Sequence, residues 1–181
     1  MKSFLAVAVF AAAVAHGVPA QADAVEKGGS AVRTLVAEGT KAPAFEAKDT
    51  DGNVVKSADL VGKKPFVLYF YPKDDTPGCT IEGCSFRDNS AEFGKRGVAI
   101  YGVSVDTVDS HKAFTSKFNL NFPLLADVDQ KICAAYGVTV KDDKYAERVT
   151  FVVDKGGTIK KVYPKVNPKE HVAEVLSVLE K

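Results

Sequence analysis

The sequence predicts an α/β domain built on a mixed central sheet with helices on both faces and a β-hairpin ahead of it. Three observations predict it. Residues 66–71 and 98–105 are unbroken apolar runs, the pattern of strands buried on both faces, with room for a helix between them, so they run parallel. Residues 149–153 and 158–163 are two further strands joined only by Asp154-Lys155-Gly156-Gly157, too short for a parallel crossover, so this pair is antiparallel. Residues 45–55 carry Asp51-Gly52 between short alternating runs, the mark of a hairpin.

The chain opens on Met1-Lys2, an apolar stretch over 4–15, and Val18-Pro19-Ala20-Gln21-Ala22 before Asp23. A positive start, a short apolar centre and small residues are the three parts of a secretory signal. Cleavage after Ala22 is expected, with 1–22 removed and the protein periplasmic or secreted. The apolar centre is shorter than the roughly 20 residues a spanning helix needs, so no membrane partner is expected. Residues 23–34 form a flexible N-terminal segment, and 35–181 form one domain. About 160 residues remain after cleavage, enough to bury roughly two thirds of the unfolded surface in a single core. A net charge of +1 gives no basis for a nucleic-acid or anionic-surface partner.

Pro72 ends the strand over 66–71. Thr76 is a candidate N-cap and Pro77 a first helical residue, because a threonine oxygen can satisfy a free amide and proline has none to leave unsatisfied. This helix runs to about residue 95. After the strand over 98–105 come a helix over 109–118, a short strand over 122–126 and a short helix over 130–136. The final helix is capped by Asn167, Pro168 and Glu170, and Val172, Val175, Leu176 and Leu179 form one apolar stripe for the core.

Cys79 falls in the first turn of its helix, where free amides and the dipole favour negative charge. Helix N-termini and nearby cations favour thiolate over thiol, so Cys79 is a candidate reactive thiolate. Cys84 follows five residues later. On one helix that spacing puts the Cα atoms roughly 8.6 Å apart. A disulfide needs less than about 7 Å, so the pair suits a transient bridge formed by local unwinding better than a permanent staple. Glu82 and Arg87 lie on roughly the same face as Cys79, and Glu82 is expected to pair with an arginine, since a lone carboxylate would oppose a thiolate. The third cysteine, Cys133, reads as a small buried hydrophobe. His111 and His171 lie on helices far in sequence from the cysteines, and His16 lies in the signal segment.

Pro72, Thr76 and Cys79 match the Pro-x-x-x-Thr-x-x-Cys signature of peroxiredoxins, and the run 71–88 resembles the bacterioferritin-comigratory, or peroxiredoxin Q, branch. The resemblance extends from about Leu35 to the C-terminus. It implies a thioredoxin-like fold, Cys79 as peroxidatic and Cys84 as resolving cysteine, and Pro72 shielding the site. It further implies Thr76 hydrogen-bonding the thiolate or the peroxide, and Arg148, at the start of a later strand, beside the sulfur. The implied activity is a thiol peroxidase acting on hydrogen peroxide and organic hydroperoxides through a sulfenic acid and a Cys79–Cys84 disulfide. A thioredoxin-like dithiol would recycle it, with no metal or organic cofactor, and the branch implies a monomer. Residues 139–147 are short and highly charged compared with the family's usual approach to the arginine, which leaves the path to Arg148 open. The rival readings are a thiol-disulfide oxidoreductase, which a Cys-x-x-Cys pair would have favoured, and a Cu(I)-binding protein, for which no histidine lies near the pair in sequence.

Overall fold

The computed structural model describes residues 33–179. The expected signal segment, its Ala22 cleavage site and most of the segment 23–34 lie outside the described residues.

The apolar runs become the centre of a seven-stranded sheet of order β2-β1-β5-β4-β3-β8-β9. Its strands are β1 (Glu46–Asp49), β2 (Val54–Lys56), β3 (Phe66–Phe70), β4 (Ala99–Ser104), β5 (Leu124–Ala126), β8 (Val149–Val153) and β9 (Ile159–Tyr163). β3 is parallel to β4, and β4 to β5, whereas β8 is antiparallel to both β3 and β9. The mixed sheet follows the connection lengths, as expected. The hairpin β1–β2 turns at Gly52, with φ of +84°, and Asp49 Oδ1 accepts from the amides of Asp51 and Asn53. It joins the main sheet because β1 pairs antiparallel with β5.

Alternation along β3 divides the core in two. Phe66, Leu68 and Phe70 face one side, with Phe45, Phe151 and the helix α4 (Lys131–Tyr136). Val67, Tyr69 and Tyr71 face the other, against α1 (Pro77–Asp88), α2 (Ser90–Lys95), α3 (Val108–Phe118) and α5 (His171–Leu179). Both faces carry helices, as expected, but unevenly. Val172 and Val175 of α5 are buried, so that stripe belongs to the core. Asp127 caps α4, its two oxygens accepting from the amides of Ile132 and Cys133 at 2.9 and 2.8 Å.

Two elements differ from expectation. The helix expected from 77 to 95 breaks at Asn89, whose backbone leaves the helical region and whose Nδ2 donates to the Ser85 carbonyl at 2.9 Å. An asparagine side chain that competes for helix carbonyls is a local reason for the break. Residues 139–147 fold into a small hairpin, β6 (Val140–Lys141) with β7 (Tyr145–Ala146). Asp142 and Asp143 at its tip both take positive φ, 52° and 53°, as a type I′ turn requires, and the Lys144 amide closes it onto the Lys141 carbonyl. The charged stretch is thus the device that delivers the chain to Arg148.

Gly102 on β4 lies opposite Tyr69, and a Cβ there would stand 2.7 Å from Leu124 Cδ2 and 2.8 Å from Tyr69 Oη. Gly102→Ala should therefore lower stability by about 1–3 kcal/mol through overpacking, read from urea unfolding. An unchanged midpoint would mean that the aromatic layer beneath α1 yields easily.

Candidate active site

The strand pairing assembles the site. β3 and β8 run antiparallel with Phe70 opposite Val149, so the residue before β8 lies beside the residue after β3. That brings Arg148 to the carboxyl end of β3, where α1 begins. Thr76 is the N-cap of α1, Pro77 its first residue and Cys79 its third, as the sequence indicated. The capping contact differs. The Thr76 hydroxyl donates to the Lys73 carbonyl at 3.0 Å rather than accepting from a helix amide, while its carbonyl accepts from Thr80 at 2.8 Å. Its oxygen lone pairs therefore remain available as acceptors. Pro72 is half-buried at the end of β3.

Cys79 is 2% exposed. Its sulfur accepts a hydrogen bond from Arg148 Nη2 at 3.2 Å. Arg148 Nη1 donates to Glu82, one helical turn beyond Cys79, so one guanidinium holds the sulfur and a carboxylate together. Gly78 allows the approach, since a Cβ there would lie 3.3 Å from Arg148 Nη2. Burial works against the charge of Arg148, but Glu82 and Cys79 outweigh it and hold its pKa above the usual value. Glu82 is fully buried. Burial, partly offset by Arg148, pushes its carboxyl up to about 7, and Oε1 has no hydrogen-bond partner. Glu82 does pair with an arginine, as expected, but that arginine is 66 residues away rather than on the same helix. Arg87 instead bonds Asp88 and the Phe118 carbonyl and interacts with Cys84.

Cys84 is half-buried and, like Cys79 and Cys133, a free thiol. Both cysteines of the pair lie on the unbroken helix α1, so a bond between them requires that helix to unwind. Cys133 is fully buried, and burial, with Asp127 beside it, pushes its thiol far up, so it is inert, in keeping with its reading as core. His171 is buried with Nε2 2.8 Å from Thr150 Oγ1, edge-on to Phe86 and Tyr163. Burial and then the Arg148 charge push it down to about 4, so it is neutral. His111 lies in a separate polar cluster with Asp74. Sequence reasoning missed Gly78 and the identity of the Glu82 partner. Neither carries a local signal, because both depend on where β8 docks.

The arrangement places an electrophile-seeking sulfur, a fixed cation and an unencumbered hydroxyl oxygen at the amino end of one helix. That is suited to nucleophilic attack on a small polar substrate whose leaving group develops negative charge. Among the described residues, no group of three or more histidine, cysteine, aspartate or glutamate side chains is gathered that could hold a metal ion. No described helix is long and apolar enough to cross a membrane.

Comparison with known proteins gives concordant results. Residues 39–162 match the model of the AhpC/TSA family. A putative peroxiredoxin bcp of Coxiella burnetii is 46% identical over 147 residues, covering 78% of this chain and 97% of its own. The crystal structure of the peroxidoxin BcpB of Mycobacterium tuberculosis superposes with a TM-score of 0.74 at 31% identity, covering 79% of this chain and 96% of its own. The bacterioferritin comigratory protein of Xanthomonas campestris, studied for alkyl peroxide reduction, superposes with a TM-score of 0.68 at 35% identity, covering 75% and 90%.

The Glu82 carboxyl has a measurable consequence for stability. Below its unfolded value of 4.5 it is protonated in both states. Between there and about 7 the folded protein keeps a proton that the unfolded chain releases, so this group's contribution to stability is lost as pH rises through that window. Glu82→Gln removes the titration. Its stability relative to wild type should improve by about 3 kcal/mol from about pH 4.5 to about pH 7.5, read from urea midpoints. A pH-independent difference would show that Arg148 keeps Glu82 ionised throughout.

Proposed function

Because the chain belongs to the AhpC/TSA family of peroxiredoxins and is a thiol peroxidase with a thioredoxin-like fold, we propose that Cys79 is its peroxidatic cysteine and Cys84 its resolving cysteine. The observation that carries this assignment is the Arg148 guanidinium at 3.2 Å from the Cys79 sulfur in the first turn of α1. The reaction needs negative charge on this sulfur, and a guanidinium and the free amides of a helix start are the groups that face it. The thiolate attacks the distal oxygen of the hydroperoxide and the O–O bond breaks. Sulfur becomes a sulfenic acid, and the departing hydroxide or alkoxide takes up a proton. Arg148 then offsets charge that moves from sulfur onto the peroxide oxygens. Thr76, with its hydrogen committed to Lys73, accepts a hydrogen bond from the peroxide, and Pro72 walls the site from water.

Resolution follows by unwinding of α1. Cys84 attacks the Cys79 sulfur, a disulfide forms and water leaves. A dithiol of the thioredoxin type then reduces the disulfide by exchange. Both hydrogen peroxide and organic hydroperoxides are substrates in this reading, the latter supported by the Xanthomonas campestris relative. The signal-like segment 1–22, with cleavage at Ala22, supports a periplasmic or secreted location and a reductant supplied there. In keeping with the branch, the protein acts as a monomer.

One equivalent of hydrogen peroxide added to the reduced protein should remove two hydrogens from the intact mass within seconds. In Cys84→Ser it should leave one added oxygen on Cys79, and if neither species forms within minutes the assignment fails. Arg148→Met should slow the reaction of Cys79 with peroxide by about 10²-fold while the chain stays folded, since Glu82 can neutralise itself by taking a proton. An unchanged rate would remove Arg148 from the site.

A further inference from the structure

Residues 72–76 connect β3 to α1 and carry Thr76 at their end. In their middle, the buried Asp74 carboxylate gathers donors from two other elements. Tyr71 Oη donates to Oδ1 at 2.7 Å, Ser110 Oγ donates to Oδ2 at 2.7 Å, and His111 Nδ1 lies 2.9 Å from Oδ2. The Asp74 amide donates to Asp106 Oδ2 at 2.9 Å, an oxygen that also accepts from Ser104 Oγ at 2.7 Å. The end of β4 and the first turns of α3 thereby grip the loop from the side opposite Arg148. Burial alone would push the Asp74 carboxyl up, and the bonds from His111, Ser110 and Tyr71 outweigh it and hold it below the usual range. His111 is fully buried and its Nε2 has no partner, so a hydrogen on Nδ1 leaves only a lone pair unmatched. The loop's other side-chain ties, Asp75 to Lys117 and Lys73 over the Tyr145 ring at 5.9 Å, are exposed and weak.

We propose that Asp74 and His111 are positioning residues for the peroxide reaction. Their buried bond latches the loop 72–76 to α3 and fixes the Thr76 hydroxyl relative to the Cys79 sulfur. The inference rests on the thiol peroxidase reading of that site and extends it to residues that touch neither the sulfur nor the substrate. The latch acts by leverage. Asp74 is two residues before Thr76, and α1 must unwind and rewind in every cycle. An anchor on α3, outside the moving helix, restores the same loop geometry each time. Charge-assisted hydrogen bonds from three donors in a buried setting are strong enough for that task, and a misplacement of about 1 Å costs roughly 10²-fold in rate.

The test pairs two reactions of the reduced full chain: oxidation of Cys79 by hydrogen peroxide in stopped flow, and its alkylation by iodoacetamide followed by peptide mass. Alkylation needs the nucleophilic sulfur but not the Thr76 geometry. Asp74→Asn and His111→Ala should slow peroxide oxidation at least about tenfold without slowing alkylation. His111→Asn, whose amide nitrogen can take the place of Nδ1, should recover most of the loss. Unaffected peroxide rates in variants of a reactive wild type, parallel loss of both reactions, or no recovery in His111→Asn would overturn the latch. Should Asp74→Asn not fold, His111→Ala and its rescue by His111→Asn carry the test alone, and a wild-type peroxide rate in His111→Ala overturns it equally. A wild-type chain inert to peroxide would instead remove the peroxidase reading and the latch with it.

Discussion

One guanidinium organises this site. Arg148 donates to the Cys79 sulfur through one nitrogen and to the Glu82 carboxylate through the other. Its planar fork lets a single half-buried cation face two acceptors on successive turns of α1, which an ammonium could not do with the same geometry. The surrounding architecture serves this contact. β3 and β8 must be neighbours and antiparallel to bring Arg148 to the start of α1, Gly78 leaves the guanidinium room, and the β6–β7 hairpin leads the chain to that strand.

Burying two acidic groups around one cation carries a cost, and the Glu82 carboxyl meets part of it by holding its proton more tightly. Cys79 and Glu82 compete for Arg148, and burial already holds Glu82 near neutrality. A protonated Glu82 leaves Arg148 to the sulfur and an ionised one shares it, in a site lined by Tyr69, Tyr71 and Phe86.

The proposed disulfide step requires α1 to come apart, and the ends of this helix bound how far. α1 ends at Asn89, directly before the short α2, so unwinding of the segment with Cys79 and Cys84 need not propagate into the rest of the molecule. Its two sides are held differently. The loop before it is tied to α3 through Asp74 and His111, and its last turn is tied to the Phe118 carbonyl through Arg87. The sheet beneath carries β3, β4 and β8, whose residues are buried almost throughout.

Much of this protein could be read from residue order. Continuous apolar runs mark buried strands, connection lengths decide parallel from antiparallel, and Thr76-Pro77 sets the helix start, so the mixed sheet and the place of Cys79 follow from local rules. The resemblance around residues 71–88 supplied Arg148 by position. The sequence did not show the helix break at Asn89, where one side-chain bond to Ser85 tips a marginal helix, or the hairpin over 140–146, whose turn needs positive φ at two aspartates. It could not name the partner of Glu82 or join Asp74 to His111, contacts spanning 66 and 37 residues. Sequence by itself determined which elements form and which sulfur sits at a helix start, because those depend on residues within one or two turns. The tertiary structure alone decided which charges meet, because a buried ion or hydrogen-bonded carboxylate takes its partner from whichever element docks beside it.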